Sequence, residues 1–145
     1  MTVMHAYDAA EMCINSAYNN AKNFRKNRKI YGYSKNKMKQ RIAEDLKTFY
    51  RVGIKYPNSV ERYRQYAIID NTTRDANDII GYDKNDRAIW GVNLRHKITN
   101  CIQNAIMFLR LRSIKNSDSE LKQLSKEYKS LTDKLPEQRW VITEH

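Results

Sequence analysis

A chain of 145 residues, 41% hydrophobic and 30% charged, is long enough to bury one core and too apolar to be disordered. Four glycines and two prolines are too few for a sheet-rich fold, which needs a turn residue every few positions. A net charge of +11, with no run of about 18 apolar residues, argues against a membrane span and for an anionic partner.

The expected class is all-α: a single domain, residues 1–145, built as a bundle of about five helices with one long central helix and a C-terminal helical hairpin. Residues 6–24 place Ala6, Ala10, Cys13, Ile14, Ala17, Ala21 and Phe24 on one face, at spacings of three and four. Tyr31-Gly32-Tyr33 breaks the chain. Ser34 then caps a second helix with Met38, Ile42, Leu46, Phe49 and Tyr50 inward and Gly53 closing it. Together these form a basic helical hairpin over 5–53.

Tyr56-Pro57 forces an extended dipeptide, and a central segment, 58–86, follows. A capping box at Asn58–Glu61 opens its helix. A short helical piece from Arg74 to Ile80 ends at Gly81, and Asp83-Lys84-Asn85-Asp86 reads as a turn and helix start. The longest apolar run, Ala88 to Ile114, supplies a core helix over 87–115. Ser117-Asp118-Ser119-Glu120 is a second capping box. The last helix, 118–135, sets Leu121, Leu124, Tyr128, Leu131 and Leu135 in a narrow seam that Pro136 ends. That seam packs on the core helix or offers a homodimer contact through Leu121, Leu124, Tyr128 and Leu131. The apolar tail Trp140-Val141-Ile142 packs back or meets a partner.

The charge is unevenly placed. Lys22 to Lys55 holds twelve basic residues and two acids, a local +10, while the remainder of the chain carries +1. A block of this kind reads as the footprint of a polyanion. Lys22, Arg25, Lys26, Arg28 and Lys29 end one helix; Lys35, Lys37, Lys39 and Arg41 begin the next. Both sets fall at the corner of the hairpin, where Lys and Arg are placed to neutralise phosphates. Tyr31 and Tyr33, between the two runs, are placed to stack on unpaired bases.

The expected function is therefore that of a small, basic, non-enzymatic nucleic-acid-binding protein, DNA or RNA. An alternative is an interaction protein that inhibits or redirects an acidic or nucleic-acid-binding host protein. Richness in Asn, Lys, Ile and Tyr fits an AT-rich genome of the kind that encodes small phage accessory proteins. A third reading is a metal-dependent phosphodiester-processing enzyme using Asp70, Asp75, Asp78, Asp83 and Asp86, or His96 as an acid. Those aspartates are better explained as caps, turns and helix starts, and Asp83–Asp86 lacks the glycine and distal glutamate of a calcium loop. No zinc spacing joins Cys13, Cys101, His5, His96 and His145, and no phosphate-binding glycine loop is present, so neither metal nor cofactor is expected. The two cysteines read as buried thiols of a reducing compartment. With no basic stretch followed by an apolar run at its start, the chain is expected in the cytoplasm.

Overall fold

A computed structural model describes residues 3–73, 78–91 and 94–135. The all-α expectation is met: α1 (Val3–Lys22), α2 (Phe24–Tyr31), α3 (Lys35–Lys55), α4 (Pro57–Thr73), α5 (Leu94–Asn116) and α6 (Ser119–Thr132) form a bundle. The one addition is a two-stranded hairpin, β1 (Asp78–Tyr82) and β2 (Ala88–Gly91). The expected tail 140–142, Asp75, His145 and the stop at Pro136 lie outside the described residues.

The helix count rises to six because the first predicted helix is two. At Asn23 (φ −102°, ψ 42°) the backbone leaves helical geometry for one residue. Asn23 N–H still donates to Asn19 O at 2.9 Å, and Asn27 N–H to Asn23 O at 2.8 Å, so this is a kink rather than a break. The small face of α1, with Ala10, Ala17 and Ala21 fully buried, lets α3 approach closely, and these two helices share the most extensive contact in the bundle.

α3 holds the centre. Met38, Ile42, Leu46, Phe49 and Tyr50 are all buried, and α1, α4, α5 and α6 pack around them. The expected central helix is thereby corrected in two respects. Residues 88–91 are strand, and α5 buries only Asn100, Met107, Leu111 and Ile114. An apolar composition marked α5 as buried, but the apolar residues lie on both of its faces, and one face is exposed.

Of the segment expected as a short helix, 74–77 lies outside the described residues and the remainder, from Asp78, is the first strand of the antiparallel hairpin instead, with Ile79 opposite Trp90 and Tyr82 opposite Ala88. Asp83 nucleates the turn: its carboxylate accepts from Asn85 N–H at 2.8 Å and Arg87 N–H at 3.0 Å, while Asp86 takes a left-handed φ of 58°. Among the described residues the backbone of the hairpin does not pack closely against any helix.

Gly53 does not close α3, which runs on to Lys55. Its role is clearance. A Cβ there would press into the Tyr128 ring of α6, and Val60 Cγ2 would stand 3.1 Å away. Gly53→Ala would normally favour a helix by about 1 kcal/mol; here it is expected to lose stability by about 1–3 kcal/mol, because the clash outweighs the propensity. Urea denaturation would show it as a lower midpoint at unchanged slope.

The C-terminal seam closes within the chain. Leu121 and Tyr128 are buried, Tyr128 stacking edge-on with Phe49 at 5.5 Å, and Leu124 is partly buried against the same core, so these three residues of the proposed homodimer contact pack within the chain, while Leu131 is partly exposed. Asp118 caps α6, accepting from Leu121 N–H at 3.1 Å. Both cysteines are free thiols, but Cys101 is exposed, not buried. Cys13 is pushed up to about 11, chiefly by burial and then by Asp45, which leaves it unreactive.

Candidate nucleic-acid interface

The basic corner forms where the sequence predicts it. Gly32 ends α2 in the left-handed region (φ 68°), open to any neighbour, and Ser34 caps α3 by accepting from Lys37 N–H at 3.1 Å. A glycine supplies the first geometry without strain, and the serine satisfies a free helix donor. This turn brings the C-terminal end of α2 against the N-terminal end of α3. Arg25, Lys26 and Lys29 on α2 and Lys35, Lys37 and Lys39 on α3 are exposed there, and no acid occurs between residues 22 and 43.

The other predicted contacts divide. Lys22 is drawn inward: its ammonium donates to the Asn71 carbonyl and, at 2.8 Å, to Asn100 Oδ1. With Asn100 and Asn104 amides on Thr72 O at 2.8 and 3.0 Å, it satisfies the open carbonyls that end α4. Arg28 Nε donates to Tyr33 O at 3.2 Å, and its guanidinium lies 5.8 Å from the Phe24 ring centre. Arg41 pairs with Asp45 at 3.4 Å and reaches Tyr33 Oη at 3.5 Å. Lys47, within the same charge block, is buried far from the corner, against Asp118 at 2.8 Å and Glu44 at 3.4 Å; Arg51 pairs with Glu120. The local +10 of the sequence thus splits into an exposed corner and a set of cations neutralised within the fold.

The two tyrosines also differ. Tyr33 packs against the core with Lys37 Nζ 4.5 Å from its ring centre, whereas Tyr31 is half exposed, its ring 5.5 Å from that of Tyr33. Tyr31 borders an open cleft of about 430 Å³ between α1, α2 and α4, lined also by Asn15, Asn19, Asn20, Asp70 and Asn71. Asn27 holds two of these amides in place, donating to Asn19 Oδ1 at 3.0 Å and Asn20 Oδ1 at 2.8 Å. Charge and aromatic counting did not single out these asparagines. Their signal was positional: Asn15, Asn19, Asn23 and Asn27 recur every four residues, which sets polar groups one above another on a helix.

The described aspartates among those proposed for a metal form no common site. Asp83 and Asp86 shape the hairpin turn and Asp70 lies on α4; among the described residues no three His, Cys, Asp or Glu side chains gather within reach of one ion. His96 is exposed near the start of α5. No family model, curated protein or solved structure matches this chain. The architecture and the corner themselves are what any functional reading rests on.

Proposed function

We propose that the chain is a small, non-enzymatic nucleic-acid-binding protein that uses the α2–α3 corner, with a preference for single strands. The carrying observation is the set of six exposed cations spread along the short helix α2 and the first turns of α3, beside the half-exposed Tyr31. The Lys and Arg side chains neutralise phosphates, Tyr31 stacks on an unpaired base, and the amide-lined cleft offers hydrogen-bonding partners to that base's edge. Duplex DNA would present phosphates to the same corner but no free base face. Two free thiols suit a reducing compartment, and among the described residues no helix is long and apolar enough to cross a membrane; the cytoplasm is the proposed location.

Fluorescence anisotropy with a twenty-nucleotide single strand across a salt series tests this. Six phosphate contacts give a slope of log K against log salt of about −4; an affinity indifferent to salt excludes the mechanism. Tyr31→Ala is expected to weaken single-strand binding by about 5- to 100-fold with little change in melting temperature. Tyr33→Ala is expected to cost stability, since its ring packs against the core. Equal affinity of Tyr31→Ala and the parent would remove the stacking role.

A second observation favours a protein partner as well. Leu94, Ile98, Ile102, Ile106 and Leu109 lie along one side of α5 and are 69%, 53%, 55%, 44% and 61% exposed. At 100° per residue they sit opposite the buried Met107, Leu111 and Ile114. A helix apolar on both faces needs cover on both. α5 carries Arg95, Lys97, Arg110, Arg112 and Lys115 and no acid, so two copies laid antiparallel would oppose like charges. The occupant proposed is therefore a host-protein helix with an apolar stripe bordered by Asp and Glu. A peptide of that design should bind, its Lys-bordered isomer should not, and Ile102→Glu should abolish binding. A dimer seen by light scattering and dissolved by Ile102→Glu would assign the face to a second copy instead.

A further inference from the structure

About 15 residues along α3 from Lys35, or roughly 22 Å, the bundle encloses a second concentration of positive charge that the sequence block does not contain. Two cavities of about 240 and 420 Å³ lie among α3, α4, α5 and α6 and share a wall made by Tyr50, Arg64 and Lys115. Lys129 lines the first cavity and Arg112 the second. Four cations from three helices therefore converge on one recess. Facing them are one carboxylate at the mouth, Asp133, and one beneath, Glu61, which already bonds Arg64 and accepts from Tyr128 Oη.

Lys115 is the informative residue. It is partly buried near the end of α5, and its charged neighbours are Arg64, Lys129 and Arg112, all positive. Among the described residues no carboxylate stands within ion-pair distance of Lys115, Arg112 or Lys129. Burial, then these like charges, lower the Lys115 ammonium below its ordinary range. Taking a cation out of water beside other cations costs free energy unless an anion joins them. The hydroxyls of Tyr18, Tyr50 and Ser125 line the same recess and can donate to oxygen acceptors, whereas that of Thr132 already donates to Lys129 O at 3.1 Å; Phe108, Ile68 and Leu111 give the larger cavity an apolar wall.

We propose that this recess binds a phosphate group, free or as the monoester of a nucleotide, held by Lys115, Arg64, Arg112 and Lys129. A phosphomonoester carries close to two negative charges near pH 7 and three acceptor oxygens, matching an excess of four cations over two carboxylates. The apolar wall beside Phe108 then takes the remainder of the ester. This site is separate from the α2–α3 corner and independent of the nucleic-acid reading.

Calorimetric titration of the full chain with inorganic phosphate, adenosine 5′-monophosphate and adenosine tests it. Phosphate is expected to bind with one-to-one stoichiometry and to raise the melting temperature; the monophosphate should bind more tightly, and adenosine not at all. If free phosphate and the monophosphate bind equally, the phosphate group alone is the ligand; tighter monophosphate binding identifies the nucleotide. Lys115→Met should weaken phosphate at least tenfold and, in phosphate-free buffer, be as stable as the parent or more so. Arg112→Met, at an exposed position, provides the same readout if the Lys115 variant fails to fold. Equal phosphate binding by the parent and by both variants overturns the proposal. So does loss of phosphate binding on reversing Lys26, Lys29, Lys35 and Lys39 at the corner.

Discussion

Glu61→Ala is expected to lower stability by about 3–5 kcal/mol, which is roughly 10 °C or more in melting temperature for a chain of this size. Glu61 is only 7% exposed, yet two groups depend on it. Arg64 donates to both of its oxygens, through Nε at 2.9 and 3.2 Å, and the buried Tyr128 hydroxyl donates to Oε2. Burial, and then the same carboxylate, push the Tyr128 phenol up, so it remains a donor throughout the physiological range. Removing the carboxylate leaves a partly buried guanidinium and a buried hydroxyl without their acceptor. Tyr128→Phe, which leaves Glu61 on Arg64, is expected to cost only about 1 kcal/mol. Thermal unfolding of both variants separates these values. Near-equal losses would mean that Arg64 contributes little, and pairing Glu61→Ala with Arg64→Met in a double-mutant cycle would measure the coupling directly.

The second large effect separates two halves of one charge block. Reversing Lys26, Lys29, Lys35 and Lys39 to glutamate is expected to reduce nucleic-acid affinity on the order of 100-fold at physiological salt. The melting temperature should stay within a few degrees, since all four side chains are exposed and a glutamate at position 35 suits the N-terminal end of α3. Lys47→Glu is expected to behave in the opposite way. Lys47 is buried between α3 and α6 and holds Asp118 at 2.8 Å, with Glu44 and Glu120 nearby, so a reversed charge there faces three carboxylates and unfolds the junction. A binding defect in folded Lys47→Glu protein as large as that of the corner variant would show that the split is wrong.

The same ion pair sets an acid limit. Lys47 and the helix amides at the start of α6 hold Asp118 below the ordinary carboxylate range. A depressed carboxylate contributes fully above the unfolded value near pH 4, and the contribution is lost as pH falls through the folded value. Stability measured from pH 6 down to pH 2 should therefore fall on acidification, and Asp118→Asn should flatten that fall.

Local chemistry made much of the fold legible in advance. Gly32 and Ser34 announced their turn and cap because each acts within three or four residues of itself; the Ser117–Glu120 box located the start of α6, one residue before the observed cap, Asp118. The inward faces of α1 and α3 followed from small and large apolar residues at helical spacing. The misreadings have a common origin in contacts made at long range. Gly53 looked like a helix end because its partner, Tyr128, is 75 positions away in the chain. Ile79 and Ile80 looked helical because Ile-Ile-Gly-Tyr has no clean alternation, and the irregular register between Ile79 and Gly81 shows why. The charge block looked uniform because the acids that neutralise Lys47 and Arg51 lie on α6, about 70 residues later. Tyr31 and the exposed lysines were readable; the asparagine cleft and the recess around Lys115 were not, since each is assembled from separate helices.

The bare side of α5 has a consequence for how the chain behaves in solution. Eleven units of positive charge on 145 residues make every encounter between two copies repulsive at low ionic strength, where the Debye length reaches about 30 Å, and far less so at 0.15 M, where it is about 8 Å. Charge is then the colloidal safeguard of an apolar surface that no other described residue covers. Added salt removes that safeguard, so the protein is expected to stay monomeric longest in dilute buffer, and self-association should rise with ionic strength.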